Sequence, residues 1–239
     1  WPHCAGVSVR TLHGLGCEII ATAQRHGIAL DLQLPRRDED EDDAAFWSKQ
    51  ILWKAIDVAR KQRSSFSRSL DNLDQDDFLR CVSLWKGNLQ YPDLAAANLP
   101  ALGQRLATQA ERPQGTPWYL DLYRLYEHVR LKEMGKRGLV TFDDMLLTGW
   151  EILIRSPDVL GEMRGRYDCF IVDEFQDVNL AQSEILDLLT EPNRNYMVIG
   201  DDDQTIYVWR GANTRFILGF EKRYGAKKFP LTENFRSKA

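Results

Sequence analysis

What this sequence lacks narrows it quickly. Its four cysteines fall at positions 4, 17, 81 and 169, so no Cys-x-x-Cys pair exists for zinc and no disulfide framework is spelled out. Reduced thiols and a cytoplasmic setting fit that usage. The four histidines, at 3, 13, 26 and 128, form no metal spacing. No apolar run approaches the ~20 residues of a membrane span. The densest run, Cys169 to Val172, is short. Trp1-Pro2-His3-Cys4 shows no basic segment before an apolar core, so no signal peptide is read there. A starting Met is also missing, and the expectation is a piece of a longer polypeptide. A Gly-x-x-x-x-Gly-Lys-Ser/Thr loop occurs nowhere in the 239 residues. Gly135-Lys136 is the only Gly-Lys pair, and Arg130 stands where the first glycine would be.

What is present is ordinary globular material. Hydrophobic residues make up 44% and charged residues 28%, which excludes disorder as the dominant state. The length allows one large domain or two modest ones, each with its own core. The net charge is −4. A single run, Asp38 to Asp43, supplies six acids and leaves 29 acids against 31 bases elsewhere. The acidity is therefore local, and an anionic partner is not excluded. The run precedes the helical spacing of Trp47, Ile51, Ala55 and Val58, with Arg60, Lys61 and Arg63 after it. Acids at a helix start and bases at its end complement the helix dipole.

The chain then divides by pattern. Val7, Val9 and Thr11 alternate with polar residues and predict a short strand. A helix should run from Leu12 to about Arg25. From about 31 to 137 the chain reads as helices separated by breakers: 47–59, a helix marked by Phe78, Val82 and Trp85, and one marked by Tyr119, Leu122, Tyr126 and Val129. Pro92, Pro100, Pro113, Gly115 and Pro117 punctuate a looser stretch. After Gly138, Thr141 with Asp144 three residues on has the form of a capping box, opening a helix that Ser156-Pro157 should end. Apolar runs at Cys169–Val172, Tyr196–Ile199 and Phe229–Leu231 then alternate with helical spacing at Ala181, Ile185, Leu188, Leu189 and at Phe216, Ile217, Phe220, Tyr224. Such alternation implies an α/β fold with a parallel sheet covered on both faces.

Both strong strands end in acid. Ile171-Val172 runs into Asp173-Glu174-Phe175-Gln176-Asp177, and Val198-Ile199-Gly200 into Asp201-Asp202-Asp203-Gln204. In an open parallel sheet, ligands bind beyond the carboxyl ends of the strands. Packed carboxylates repel, so a cation is expected among them. Magnesium suits, as a hard ion that shares its shell with phosphate oxygens and water. A neighbouring Glu can take a proton from an attacking water, and the Gln residues can position that water or sense a phosphate. The plain alternative is two strand-to-helix turns with Asp as a helix cap. That alternative leaves unexplained the two glutamines, each three residues past an acid that ends a strand.

VDEFQD (172–177), GDDDQTIYVWRGA (200–212) and ENFRS (233–237) resemble motifs II, III and IV of the UvrD/Rep-like superfamily 1 DNA helicases. VRTLHGLG (9–16) is similar to their TFHSL-type motif, and LVTFDDML (139–146) to the DFDDLL segment before motif II. The order matches too. The resemblance implies a RecA-like P-loop NTPase-type core (1–30 and 138–239) with an all-helical insertion (31–137). It implies Mg-ATP-driven movement on single-stranded DNA, 3′ to 5′, with unwinding at single-strand/duplex junctions, as used in DNA repair and replication. Residue by residue, Asp173 would hold Mg²⁺, Glu174 would be the general base, and Gln204 would couple the γ-phosphate to DNA. Arg236 would contact the γ-phosphate and Phe235 would pack on adenine. Tyr207, Trp209 and Arg210 would meet DNA, with Thr11 and His13 along its path. Stacking on an aromatic is worth ~1–3 kcal/mol per base and tolerates any sequence, which a motor stepping along DNA needs. For Trp209 the plain alternative is core packing, and for His13 a satisfied histidine. Arg124, Arg130, Lys132, Lys136 and Arg137 read as a solvated helix face or a DNA path.

The sequence departs from the family in several places. The missing Gly-Lys loop would lie upstream in the same polypeptide, and a second RecA-like domain downstream. The 239 residues alone are therefore expected not to hydrolyse ATP. Val208 stands where Gly or a basic residue is frequent, Thr141 replaces Asp, and Phe235 replaces Tyr. None of these removes a reactive group. The competing function is a non-catalytic DNA-binding or protein-interaction module that keeps the fold. A helicase–nuclease arm is a third option, and an RNA helicase fits the Phe-Gln-Asp continuation less well.

Overall fold

A computed structural model describes residues 6–34, 41–191, 193–208 and 211–233, the side chains of 41–45 excepted. The first helix, α1 (Leu12–Arg25), starts where Thr11 Oγ1 accepts the Gly14 N–H at 3.1 Å. After β1 (Leu32–Gln33) come α2 (Glu41–Lys61), α3 (Gln75–Gly87), β2 (Gln90–Tyr91), α4 (Ala101–Leu106), β3 (Thr108–Gln109) and α5 (Tyr119–Lys132). Then β4 (Gly138–Leu139), α6 (Phe142–Arg155), α7 (Pro157–Gly165), β5 (Phe170–Val172), α8 (Leu180–Thr190), β6 (Tyr196–Val198), α9 (Arg215–Leu218) and α10 (Phe220–Tyr224) follow among the described residues. The fold is mixed α/β, with short parallel strands and many helices.

Three cores hold the described residues. The first joins α1, α6, α7 and α8 around Trp150, Ile19, Ile20 and Leu153. Within it α1 and α6 cross tightly: a Cβ on Gly16 would lie 2.5 Å from the Met145 carbonyl oxygen. Only glycine permits that approach, and Gly149 faces Gly16 from the other helix. The second core joins α2, α3 and α5 through Ile51, Phe78, Trp85 and Tyr123. The third lies under β5 and β6: Val172, Phe175, Leu186, Phe216 and Phe220. Leu89, Tyr91, Leu99 and Ala107, though distant in sequence from α1, pack into the first core.

Between the second core and α6 runs a buried ionic network. Lys86 Nζ lies 2.6 Å from Asp144 Oδ1 and 2.8 Å from Glu127 Oε1. Arg130 reaches Glu127 at 2.6 Å and Asp144 at 3.3 Å, and donates to the Leu139 carbonyl. Asp144 also accepts the Thr141 N–H and hydroxyl, holding the start of α6. Burial alone would raise the Asp144 carboxyl. The Arg130 and Lys86 charges, with hydrogen bonds from Lys86 and Thr141, outweigh it and keep the carboxyl below its ordinary value.

Four sequence expectations need correction. Val7 to Thr11 is not a strand, and Val9 is almost fully exposed. No described strand lies beside it to take its backbone hydrogen bonds. Phe229–Leu231 is likewise irregular and exposed. The stretch 31–137 is not all-helical, because it carries β1, β2 and β3. Finally, the β5–β6 sheet is covered on one face only among the described residues: Phe170, Val172, Tyr196 and Val198 point into the third core, while Ile171 and Met197 face out, 62% and 50% exposed. In addition, α7 was not anticipated, and the helix spacing of Phe216 to Tyr224 divides at Gly219 into α9 and α10.

Candidate active site

β5 and β6 pair in parallel, with Phe170 opposite Tyr196, Ile171 opposite Met197 and Val172 opposite Val198. The ladder continues past the strands, with Ile199 N–H donating to the Val172 carbonyl at 2.8 Å and Phe175 N–H to the Ile199 carbonyl at 2.9 Å. Both acidic segments therefore leave the same edge of one sheet. Each turns at once into a short 3-10 helix, Phe175–Asp177 and Asp202–Gln204.

The first loop is anchored below and open above. Phe175 is buried edge-on against Tyr196 and Phe220, with ring centroids 6.1 and 5.5 Å away. Asp173 and Glu174, just before it, are exposed. Glu174 sits at φ 51°, ψ 41°, a left-handed conformation that costs a non-glycine residue roughly 1–2 kcal/mol. Such strain persists where the surroundings over-determine it and gathers at functional sites. Asp173 Oδ1 accepts the Glu174 N–H at 2.9 Å, which orients its carboxylate.

The second loop is different. Asp201 Oδ1 accepts the Asp203 N–H at 3.1 Å, and Oδ2 accepts from Gln204 Nε2 at 2.6 Å. Asp201 thus builds its own turn and holds Gln204 at the rim, where Gln204 is exposed. Two side chains of the first loop bind the second loop's backbone. Gln176 Oε1 accepts the Asp201 N–H at 3.0 Å, and Asp177 Oδ1 accepts the Ile206 N–H at 3.3 Å. On sequence alone the two glutamines have the task of positioning water or sensing a phosphate; nothing there foresees that Gln176 is buried between the loops.

No group of three or more His, Cys, Asp or Glu side chains among the described residues is placed to hold a metal ion. A magnesium ion that keeps its waters and shares phosphate oxygens needs only one or two carboxylates, and exposed Asp173 at the strand end meets that requirement.

The other candidates are dispersed. Thr11 spends its hydroxyl oxygen on the α1 cap. His13 is half-buried and stacks on Phe142, ring centroids 3.6 Å apart at 22°. Tyr207 is 40% exposed beyond the second loop. Trp209, Arg210, Phe235 and Arg236 lie outside the described residues. Arg130 is not a solvated or DNA-lining cation, because it is buried in the ionic network. Arg124 donates to the Pro92 carbonyl and to Asp121.

A family model described as the UvrD/REP helicase N-terminal domain matches residues 2–225. The chain belongs to that family. It is 42% identical over 201 residues to a putative ATP-dependent DNA helicase, YjcD, of Bacillus subtilis, an alignment covering 82% of this chain and 24% of that protein. DNA helicase II of Rickettsia typhi is 30% identical over 98% of this chain and 32% of its own length. The ATP-dependent DNA helicase Rep of Escherichia coli is 29% identical over 97% of this chain and 30% of its own. This UvrD/REP-type chain thus spans about a quarter to a third of these curated relatives. No helix among its described residues is long and apolar enough to cross a membrane.

Proposed function

We propose that this chain carries the acid-and-base half of the ATP site of a DNA helicase. The carrying observation is the in-register pairing of β5 and β6, which sends Asp173, Glu174 and the Asp201–Gln204 turn out from one edge. Residues 1–30 and 138–239 are the RecA-like core, and 31–137 the insertion. The relatives' names supply ATP and DNA as the chemistry.

In this reading Glu174 takes the proton of a water attacking the γ-phosphate, and Asp173 holds Mg²⁺. The metal, when bound, neutralises charge on the phosphates. Gln204, at the exposed rim, senses the γ-phosphate. Arg236 grips that phosphate and Phe235 stacks on adenine. Tyr207, Trp209 and Arg210 meet single-stranded DNA near a junction with duplex, and Thr11 and His13 line its path. The 3′-to-5′ direction of movement is the one the resemblance to the helicase family implies, and the cytoplasm is the setting that the cysteine usage suits. Because the 239 residues hold no Gly-x-x-x-x-Gly-Lys loop, the phosphate cradle comes from elsewhere in the polypeptide, and this portion alone is inactive.

The test is Glu174→Gln in the full-length protein. Removing a general base should slow DNA-stimulated ATP hydrolysis about 10²- to 10⁴-fold while ATP still binds. Unchanged turnover would remove Glu174 from the role of base and favour a non-catalytic binding module.

A further inference from the structure

We infer that Gln176 is a positioning residue that ties the general base to the second acidic loop, so that the two loops move as one. The inference rests on the proposed role of Glu174. Gln176 is 1% exposed. Its Nε2 donates to Glu174 Oε2 at 2.7 Å, and its Oε1 accepts the Asp201 N–H at 3.0 Å. The amide cannot be turned round. A carboxylate only accepts and a backbone N–H only donates, so the nitrogen must face Glu174 and the oxygen Asp201. Gln176 follows Phe175, which is locked in the third core, so its own backbone is held.

Gly200 completes the slot. A Cβ there would lie 2.4 Å from Gln176 Oε1, 2.8 Å from Ile217 Cδ1 and 3.1 Å from the Phe175 nitrogen. The side chain of Gln176 can therefore cross from one strand end to the other only because Gly200 has none. If the Asp201–Gln204 turn shifts alone, the buried amide loses a partner, a state proteins rarely tolerate. A shift of that turn is thus passed to the Glu174 carboxylate. Gln176 itself need not touch substrate.

Three variants of the full-length helicase test this. Gln176→Met keeps the bulk and removes both hydrogen bonds. Gln176→Glu keeps an acceptor for Asp201 but turns a second carboxylate oxygen on Glu174. Gly200→Ala leaves Gln176 intact and pushes its amide aside. Each folded variant should lose about 10- to 100-fold in kcat for ATP hydrolysis, with KM for ATP within about twofold, the pattern of a lost transition-state interaction. A folded Gln176→Met enzyme with normal kcat, or one changed in KM alone, would overturn the inference. Should none of the variants fold, hydrogen exchange on the unaltered protein decides. The Asp201 amide, on an exposed residue, should exchange at least about tenfold slower than in an unstructured chain, and free exchange would overturn the tie. Glu174→Gln run in parallel separates the two claims. If it leaves turnover intact, the base assignment fails; if it abolishes turnover while Gln176→Met works normally, only the tie fails.

Discussion

Two regions of this chain hold their carboxylates in opposite ways. Between α3, α5 and α6, Asp144 is fully buried and met by two cations and a threonine. At the β5–β6 edge, Asp173 and Glu174 are exposed, and their backbone is fixed from beneath by Phe175. An acid that folding has already neutralised has no charge left for a ligand. An acid held rigidly at a strand end still does. The family motifs span both regions, so resemblance alone does not tell structural acids from reactive ones; burial does.

The comparison can be broken most sharply on its buried side. Lys86→Met strands Asp144 and Glu127 beside Arg130 alone, and breaking a buried pair by removing one partner costs about 3–5 kcal/mol. Chemical denaturation should show that loss, while the kcat of the molecules that remain folded should be unchanged. A loss below about 1 kcal/mol would mean that water reaches the network. Gly16→Ala should come next. Its Cβ meets the backbone of α6 rather than a movable side chain, and overpacking of this kind costs about 1–3 kcal/mol. A neutral Gly16→Ala would show that α1 and α6 are not in close register.

The smallest effect concerns acid. Hydrogen bonds from His26 and Arg166 hold the half-exposed Glu162 carboxyl at about 2, and Asp144 also lies low. Groups depressed on folding contribute stability that is present above their unfolded values, near 4, and lost as pH falls through the folded ones. The melting temperature should therefore fall as pH drops from about 4.5 toward 2. Glu162→Gln should flatten that fall only slightly, since exposed pairs are screened. A large flattening would contradict the ranking of buried over exposed acids.

Much of this was legible in the sequence. The helical spacing around Trp47, Phe78 and Tyr119 and the box at Thr141 and Asp144 gave α2, α3, α5 and α6, because local period and capping decide them. The runs at 169–172 and 196–199 gave β5 and β6. The Val7–Thr11 and Phe229–Leu231 strands failed because a strand needs a neighbour, and alternation carries no information about one. Lys86 went unnoticed, although it continues the buried face of Phe78 and Val82 at helical spacing. Its partners, Glu127 and Asp144, lie 41 and 58 residues away in sequence, beyond what local pattern can pair. The acids at both strand ends were visible; that Asp201 builds its own turn while Gln176 bridges the loops required coordinates.

The central claim is that one nucleotide lies over both strand ends. Mn²⁺ in place of Mg²⁺, bound with ATP to the full-length protein carrying labelled isoleucine methyl groups, tests it directly. Paramagnetic broadening should strike Ile171 and Ile199 together, one on each strand leading to the site, and spare Ile51 in the helical core. Broadening of only one of the two, or of neither while ATP is bound, would contradict a shared site.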